Sequence, residues 1–500
     1  MAIGQVGAGK RLMPSRFRWV FGLMLVPFLV GGVVVGDEAM LLKAAHGLDN
    51  SPLDFGAYAR SAEGWYIPHH VLWFGLIYVT AHIGEFLHAG PLAIEAAISC
   101  QTVMAGLAGI ALSYRYLRHR MRMDVPRATF ITLAFFAGGY GVFTFCMGGT
   151  VESFMVLAIA ARMFLAQAQI EERDAWKLAI IDAVLVSLKA YSLIFLVATW
   201  PLLRFGGKAR AAYAALLGLL LIGLILVKLW LWNSLYVATI SDLSVSESLD
   251  RFWQQFFSPW TGLLFCLPVL LALLFAGQPD RKGLFWKLAG LCGCAAVFSL
   301  YSFFNGDIAG GRYIFPFVVA LLPEIAAAIS RILDRLPRVS WLLPILVFAF
   351  LPVAAFGYPY FPEGTVPERG FCRPEHPVVH SWKIVIAKIA NRDHVEICFR
   401  EQRYALSARD VASPHLGPWR VAYMLDGGHD PAYRAVAHSP EQLRHDLWGE
   451  QLSDRLRGVG LGSSWFWSVA GLLPAFLVIW LSIWAAMRIN SPQPAARPTQ

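Results

Sequence analysis

Two adjacent carboxylates, Asp37 and Glu38, follow the first apolar run in Gly36-Asp37-Glu38. Acids at the C-terminal end of a helix oppose its dipole. The pair is therefore either an ordinary solvated helix end or a working group that accepts a proton or holds a divalent metal. A second constellation is His69-His70 in Ile67-Pro68-His69-His70-Val71-Leu72-Trp73. Neighbouring helical positions face different ways, so joint metal ligation through both rings is disfavoured. Phosphate hydrogen bonding and plain interface packing both stay open. Lys189, in Ser187-Leu188-Lys189-Ala190-Tyr191, interrupts apolar sequence, where a cation either meets an anion or snorkels to the interface. Arg312 lies in Gly310-Gly311-Arg312-Tyr313-Ile314-Phe315-Pro316. A cation at the head of a helix is unfavourable by itself, and an anion gripped by its guanidinium fork removes that penalty. Glu152 opens an apolar run after Gly148-Gly149-Thr150-Val151. An acid there is stabilised by the helix dipole without any ligand.

These residues are scattered over nearly three hundred positions, so the elements between them decide whether they can meet. The chain has 500 residues, 57% hydrophobic and only 15% charged, with a mean hydropathy of +0.54. Soluble domains run at about 25% charged, so an ordinary soluble protein is excluded. Seven Cys in this length exclude a disulfide scaffold. Apolar runs lie at 19–35, 92–114, 128–146, 150–168, 177–188, 191–204, 211–232, 259–277, 286–304, 313–330, 340–356 and 465–487. At roughly 20 residues per crossing, the fold expected is an all-α polytopic membrane protein of about 12 transmembrane helices. The run at 177–188 is too short to cross alone and is expected to form a partly buried hairpin with 191–204, turning near Lys189.

The net charge of +9 is distributed as a topology signal. Lys10, Arg11, Arg16 and Arg18 precede the first run; Arg115 to Arg127, Lys177 with Arg204 to Arg210, Arg281 to Lys287, Arg331 to Arg338, and Arg488 fall on alternate connections. All lie inside if there are twelve spans and both termini are cytoplasmic. The basic balance therefore gives no footprint for nucleic acid. This topology predicts a cytoplasmic N-terminus at 1–18, a transmembrane core at 19–356 with an outer loop at 37–91, an extracytoplasmic soluble domain at 357–464, a last span at 465–487 and a cytoplasmic tail at 488–500. Within the outer loop, Pro68–Leu87 reads as an interfacial helix with Trp65, Tyr66 and Trp73 at headgroup level.

The 357–464 segment balances its basic and acidic residues and reads as small and α+β, with a strand through Val395, Ile397 and Phe399 and a helix at 440–456. Its two cysteines, Cys372 and Cys398, either pair on an oxidising side of the membrane or stay free thiols. On this topology Asp37, Glu38, His69, His70, Glu152, Lys189 and Arg312 all map to the outer end of the bundle.

The ordered motifs over about 19–335 resemble the GT-C superfamily of polytopic glycosyltransferases, which includes protein mannosyltransferases and enzymes that decorate lipid A or cell-wall glycans. Asp37-Glu38-Ala39 is similar to the acidic motif after the first helix, and Pro68-His69-His70-Val71-Leu72-Trp73 to the His-Pro-Pro-Leu-Tyr stretch, without its two prolines. Leu188-Lys189-Ala190-Tyr191 resembles the Thr-Lys-Tyr turn, and Phe257-Ser258-Pro259 through Pro268 a Ser-Pro-x-x-Gly-Leu…Pro segment. Gly310 to Pro316 is similar to Gly-Pro-Arg-Tyr-Leu-x-Pro, with Gly311 replacing the proline.

The resemblance implies an inverting hexosyl- or pentosyltransferase in the inner cell membrane, with its active site extracytoplasmic. It would move a sugar from a polyprenyl-phosphate donor to a glycan, lipid or protein acceptor. Asp37 would be the general base and Glu38 its neighbour. Lys189 and Arg312, with Tyr313 and Glu152 beside them and His69 or His70 assisting, would hold the leaving phosphate. No cofactor is required by this reading, and a divalent metal at the acidic pair is compatible with it. The rival class is a transporter or flippase of a lipid-linked or anionic substrate. Its candidates would be the ionisable residues inside spans, Asp182, Lys228 and Glu324, although no matched halves accompany them.

Overall fold

The structure is a computed structural model that describes residues 71–88, 91–138, 151–166, 169–232, 244–257, 262–275, 281–300, 310–356, 382, 394–399, 402–407 and 464–491. The first apolar run, Asp37, Glu38, His69, His70, Cys372 and most of 357–464 lie outside these residues.

The described chain is mostly helical, as the apolar runs require. Val71–Phe86 forms α1, Pro91–His119 α2, Val125–Phe136 α3 and Val151–Ala166 α4. Glu172–Leu188 is α5, Ser192–Thr199 α6, Ala209–Trp232 α7, Val245–Phe257 α8 and Leu263–Cys266 α9. Arg281–Ser299 is α10, Gly310–Val318 α11, Leu322–Arg335 α12, Leu342–Phe356 α13 and Ser464–Asn490 α14. One antiparallel hairpin, β1 (His394–Phe399) with β2 (Gln402–Ser407), runs in register from His394 opposite Ser407 to Phe399 opposite Gln402. The alternating stretch through Val395 and Ile397 is thus the first strand of a hairpin.

Among the described residues, Ala209–Trp230 and Tyr313–Arg335 are long and apolar enough to cross a membrane by length and composition. Shorter apolar helices among the described residues include Val125–Phe136, Ser192–Leu202, Pro337–Phe350 and Leu477–Asn490. Proline is the reason in several places, because it lacks an N–H and clashes with the preceding turn. The run at 259–277 divides into α9 and a 3-10 segment that begins at Pro268. The run at 191–204 ends in a 3-10 turn containing Pro201. Pro316 and Pro323 flank the 3-10 turn that joins α11 to α12.

Helix α2 packs on α4, α4 on α5, α5 on α7, α6 on α10, and α14 on both α13 and α3. The main core gathers Trp73, Phe135, Phe195, Phe298, Phe315 and Phe317. Trp73 therefore departs from its expected headgroup position: it is buried against Phe154, with ring centroids 5.1 Å apart. Burying an indole removes a large apolar area from any solvent, and α1 satisfies it by packing against α2 and α5. The α6–α10 seam is close. A Cβ on Gly293 would stand 2.7 Å from the Ile194 side chain, and one on Gly290 2.9 Å from Phe195.

Among the described residues, basic side chains of several connections tie helix ends together. Arg118 donates to the Met123 carbonyl, tying the end of α2 to the start of α3, and Arg120 lies 5.8 Å from the Phe164 ring near the end of α4. Asp124 caps α3 through the Arg127 N–H at 2.8 Å, and Arg127 reaches Asp334 of α12 at 2.6 Å. Lys287 pairs with Glu324 at 2.6 Å. Asn490, ending α14, donates to Ser340 at 2.6 Å. A parallel bridge between Ile170 and Phe205 sets the starts of α5 and α7 side by side, so these two helices run the same way.

The flank of α7 exposes Leu219, Ile222, Ile225, Leu226 and Trp230, the last at 79%. An apolar surface of this kind needs lipid or another apolar partner.

Candidate functional site

Three sequence-predicted residues meet at the end of α4 and α5 away from the basic cluster. Glu152 sits in the first turn of α4 and is completely buried. The positive end of the helix dipole lowers the cost of keeping an acid there. Lys189 terminates α5: its backbone turns extended while its N–H still bonds the Leu185 carbonyl at 3.0 Å. The chain then reverses through Ala190 and Tyr191, and the Ser192 N–H bonds back to the Lys189 carbonyl at 2.9 Å. This break in an apolar run seats the lysine in the core, where its side chain reaches Glu152 of α4.

The Lys189 ammonium lies 3.6 Å from Glu152 Oε1 and 4.8 Å from the centre of the Tyr313 ring. Lys189 itself is 5% exposed. A buried ion pair costs desolvation of both charges, which their attraction offsets only with good geometry and further polar contacts. The ring face adds cation–π attraction of about 0.5–2 kcal/mol. Tyr313 is held in turn by Phe298, whose ring centroid is 4.5 Å away, and the Tyr191 hydroxyl donates to the Tyr313 carbonyl at 3.1 Å. Cys294 Sγ approaches the Tyr191 carbonyl at 3.5 Å. The turn after α5, the start of α4, α10 and α11 thus fix one cation over one aromatic ring.

Arg312 lies in the first turn of α11, one residue before Tyr313, so its backbone belongs to the same corner as Lys189. Asp37, Glu38, His69 and His70 are not among the described residues. Among those that are, His, Cys, Asp and Glu form no group of three able to hold a metal.

The pair is recessed. Asp182 of α5 accepts a hydrogen bond from the Tyr213 hydroxyl of α7 at 2.6 Å, which puts these residues level. At about 1.5 Å per residue, Lys189 lies about 10 Å beyond that level, whereas α7 continues for about 28 Å. The Lys189 backbone therefore stands alongside the middle of α7 and not its far end, because α5 stops short.

Sequence reasoning missed the second buried network on the same helices. Arg162 Nε meets Asp182 Oδ1 at 2.9 Å, and Tyr213 completes the carboxylate. Arg162 inside the 150–168 run was the available signal, since a lone cation in an apolar helix requires an acid nearby. Asp182 and Glu324, two of the ionisable residues inside spans, are thus taken up by Arg162 and Lys287.

No protein-family model and no curated protein matches the chain. Among solved structures, the chain is similar to the crystal structure of ArnT from Cupriavidus metallidurans in the apo state. The match has 15% identity and a TM-score of 0.45, and covers 95% of this chain and 78% of that one.

Proposed function

We propose that this chain is a polytopic membrane glycosyltransferase of the GT-C type, an inverting hexosyl- or pentosyltransferase that moves a sugar from a polyprenyl-phosphate donor to an extracytoplasmic glycan, lipid or protein acceptor. The observation that carries this reading is the meeting of Glu152, Lys189 and Tyr313 from three distant stretches of chain, with the Lys189 ammonium 3.6 Å from the acid and 4.8 Å from the ring centre. Two separately recognised motifs, the lysine turn and the Gly310–Pro316 segment, share that corner.

In the proposed reaction, Asp37 takes the proton of the acceptor hydroxyl, with Glu38 beside it. The acceptor oxygen attacks the anomeric carbon from the face opposite the phosphate, and the bond from that carbon to the phosphate oxygen breaks. Its electrons leave with the polyprenyl phosphate, so the anomeric configuration inverts. Lys189 and Arg312 meet the charge that grows on the departing phosphate, with His69 or His70 assisting. A preorganised donor of this kind is worth about 3–4 kcal/mol in the transition state. Glu152 holds Lys189 in place and yields part of its attraction to the phosphate. A divalent metal at Asp37 and Glu38 is compatible with this scheme but not required by it.

Full-length protein in lipid nanodiscs, given a polyprenyl-phosphate sugar and an acceptor, tests the proposal. Asp37→Asn should lower transfer by about 10²–10⁴-fold, the range of a positioned base. Undiminished transfer in that variant, or lipid translocation without glycosidic transfer in the wild type, would overturn the reading.

A further inference from the structure

Of the three ionisable residues noted inside apolar runs, Asp182 and Glu324 are paired. Lys228 of α7 is 7% exposed and has no hydrogen-bond or ion-pair partner among the described residues. Its surface is largely covered, unlike that of its neighbours along α7. Tyr213, Leu217, Leu221, Leu224 and Lys228 recur at helical spacing, and the first four contribute to the two apolar clusters beneath α7. The lysine therefore extends the inward stripe, while Ile225, Leu226, Val227, Leu229 and Trp230 form the exposed flank around it. A cation held inward in this way is costly unless an anion joins it. Exposed Trp230, two residues on, is of the type that settles at headgroup level.

Position gives the site a purpose. At about 1.5 Å per residue, Lys228 lies about 22 Å beyond Tyr213 and so about 12 Å beyond the level of Lys189, along helices that run the same way. The basic clusters are at the opposite end of these helices. A lipid-borne phosphate arriving from the outer leaflet would meet the level of Lys228 first and that of Lys189 only after sinking further.

We propose that Lys228 forms a second anion site, for the phosphate ester of a lipid headgroup, at the rim above the recessed Lys189. Its use in guiding a donor inward rests on the function proposed above; the binding itself does not. The site takes phosphate chemistry, and the test separates a lipid-borne phosphate from the free ion.

Full-length protein purified in detergent and titrated with phosphatidylglycerol, phosphatidylcholine or inorganic phosphate provides the test, read by native mass spectrometry. The wild type should retain phosphatidylglycerol in preference to phosphatidylcholine. Lys228→Gln should weaken that retention about fivefold, the contribution of one basic residue at a membrane surface, and Lys228→Arg should restore it. Lys228→Met, which keeps the apolar stem, replaces the glutamine variant if that one fails to purify. Equal retention by wild type and both neutral variants would overturn the proposal. Competition by millimolar inorganic phosphate would overturn the lipid assignment. Undiminished transfer in Asp37→Asn, or translocation without transfer in the wild type, with phosphatidylglycerol retention intact, would sink the glycosyltransferase reading and leave Lys228 standing.

Discussion

Helices α4 and α5 are joined by two buried ion pairs of opposite character. Toward the basic end, Arg162 and Asp182 meet at 2.9 Å, and the Tyr213 hydroxyl fills the other carboxylate oxygen at 2.6 Å. At the other end, Lys189 and Glu152 stand 3.6 Å apart, beyond hydrogen-bond length, with the ammonium over an aromatic face. The first is a clamp: a planar guanidinium, short contacts and a third helix closing the set. The second uses a point charge on a flexible stem and a ring, which attract a cation without fixing its direction. Arginine and lysine divide these duties for physical reasons, since the fork of arginine is preorganised and the lysine ammonium can turn toward a new anion. The contrast separates what holds the bundle from what is positioned to meet a ligand.

The sharpest way to break this contrast is Asp182→Ala. It strands Arg162 in the core and should cost about 3–5 kcal/mol of stability, read as a lower thermal midpoint and yield of folded protein. Transfer per folded molecule should stay near wild type; a selective loss of transfer would move the active centre to the clamp. Lys189→Met should do the reverse, lowering transfer about 10²–10³-fold, as loss of one transition-state donor does, with less destabilisation than Asp182→Ala. Glu152 keeps its favourable place at the head of α4 in that variant. Tyr213→Phe removes one hydrogen bond to the clamp carboxylate and should cost about 1.5–3 kcal/mol, again without an effect on transfer.

The smallest effect belongs to an exposed control, the reciprocal cap of α8. Ser244 N–H donates to Glu247 Oε2 at 2.9 Å, and the Glu247 N–H donates to Ser244 Oγ at 3.2 Å, a capping box. The backbone and hydroxyl hydrogen bonds from Ser244 pull the Glu247 carboxyl below its ordinary value. A depressed folded value means the contribution is present above the unfolded value and fades as pH falls through the folded one. Acid titration of α8 protection by hydrogen exchange should show this loss, and Glu247→Gln should remove its pH dependence while leaving both buried pairs untouched.

Much of this was legible from the residues alone. Apolar runs foretold a mostly helical fold, and the structure seats basic residues of the connections beside helix ends, Arg118 at Met123 and Arg127 at Asp334. Lys189 and the Gly310–Pro316 segment were recognisable because charge and glycine are expensive within apolar helices. Glu152 was the weaker signal, since its helix-start position accounts for it unaided; only its distance to Lys189 gives it a second role. The depth of Lys189 was not legible. It depends on where α5 stops relative to α7, and that register is set by the Asp182–Tyr213 contact between segments 31 residues apart. Trp73 misled for a similar reason. A tryptophan beside an outer loop suits a headgroup in one dimension, and only tertiary packing supplies Phe154 as its neighbour.

The bare backbone at Gly290 and Gly293 has a consequence for Lys189 that no inspection of charged groups would suggest. Helix α6 starts at Ser192, three residues after the lysine, and rests on those two glycines with no slack. Alanine at position 293 would act as a wedge, lifting Ile194 and dragging the preceding turn with it. The spacing between ammonium and carboxylate is thus gauged from behind, by residues that contribute no side chain.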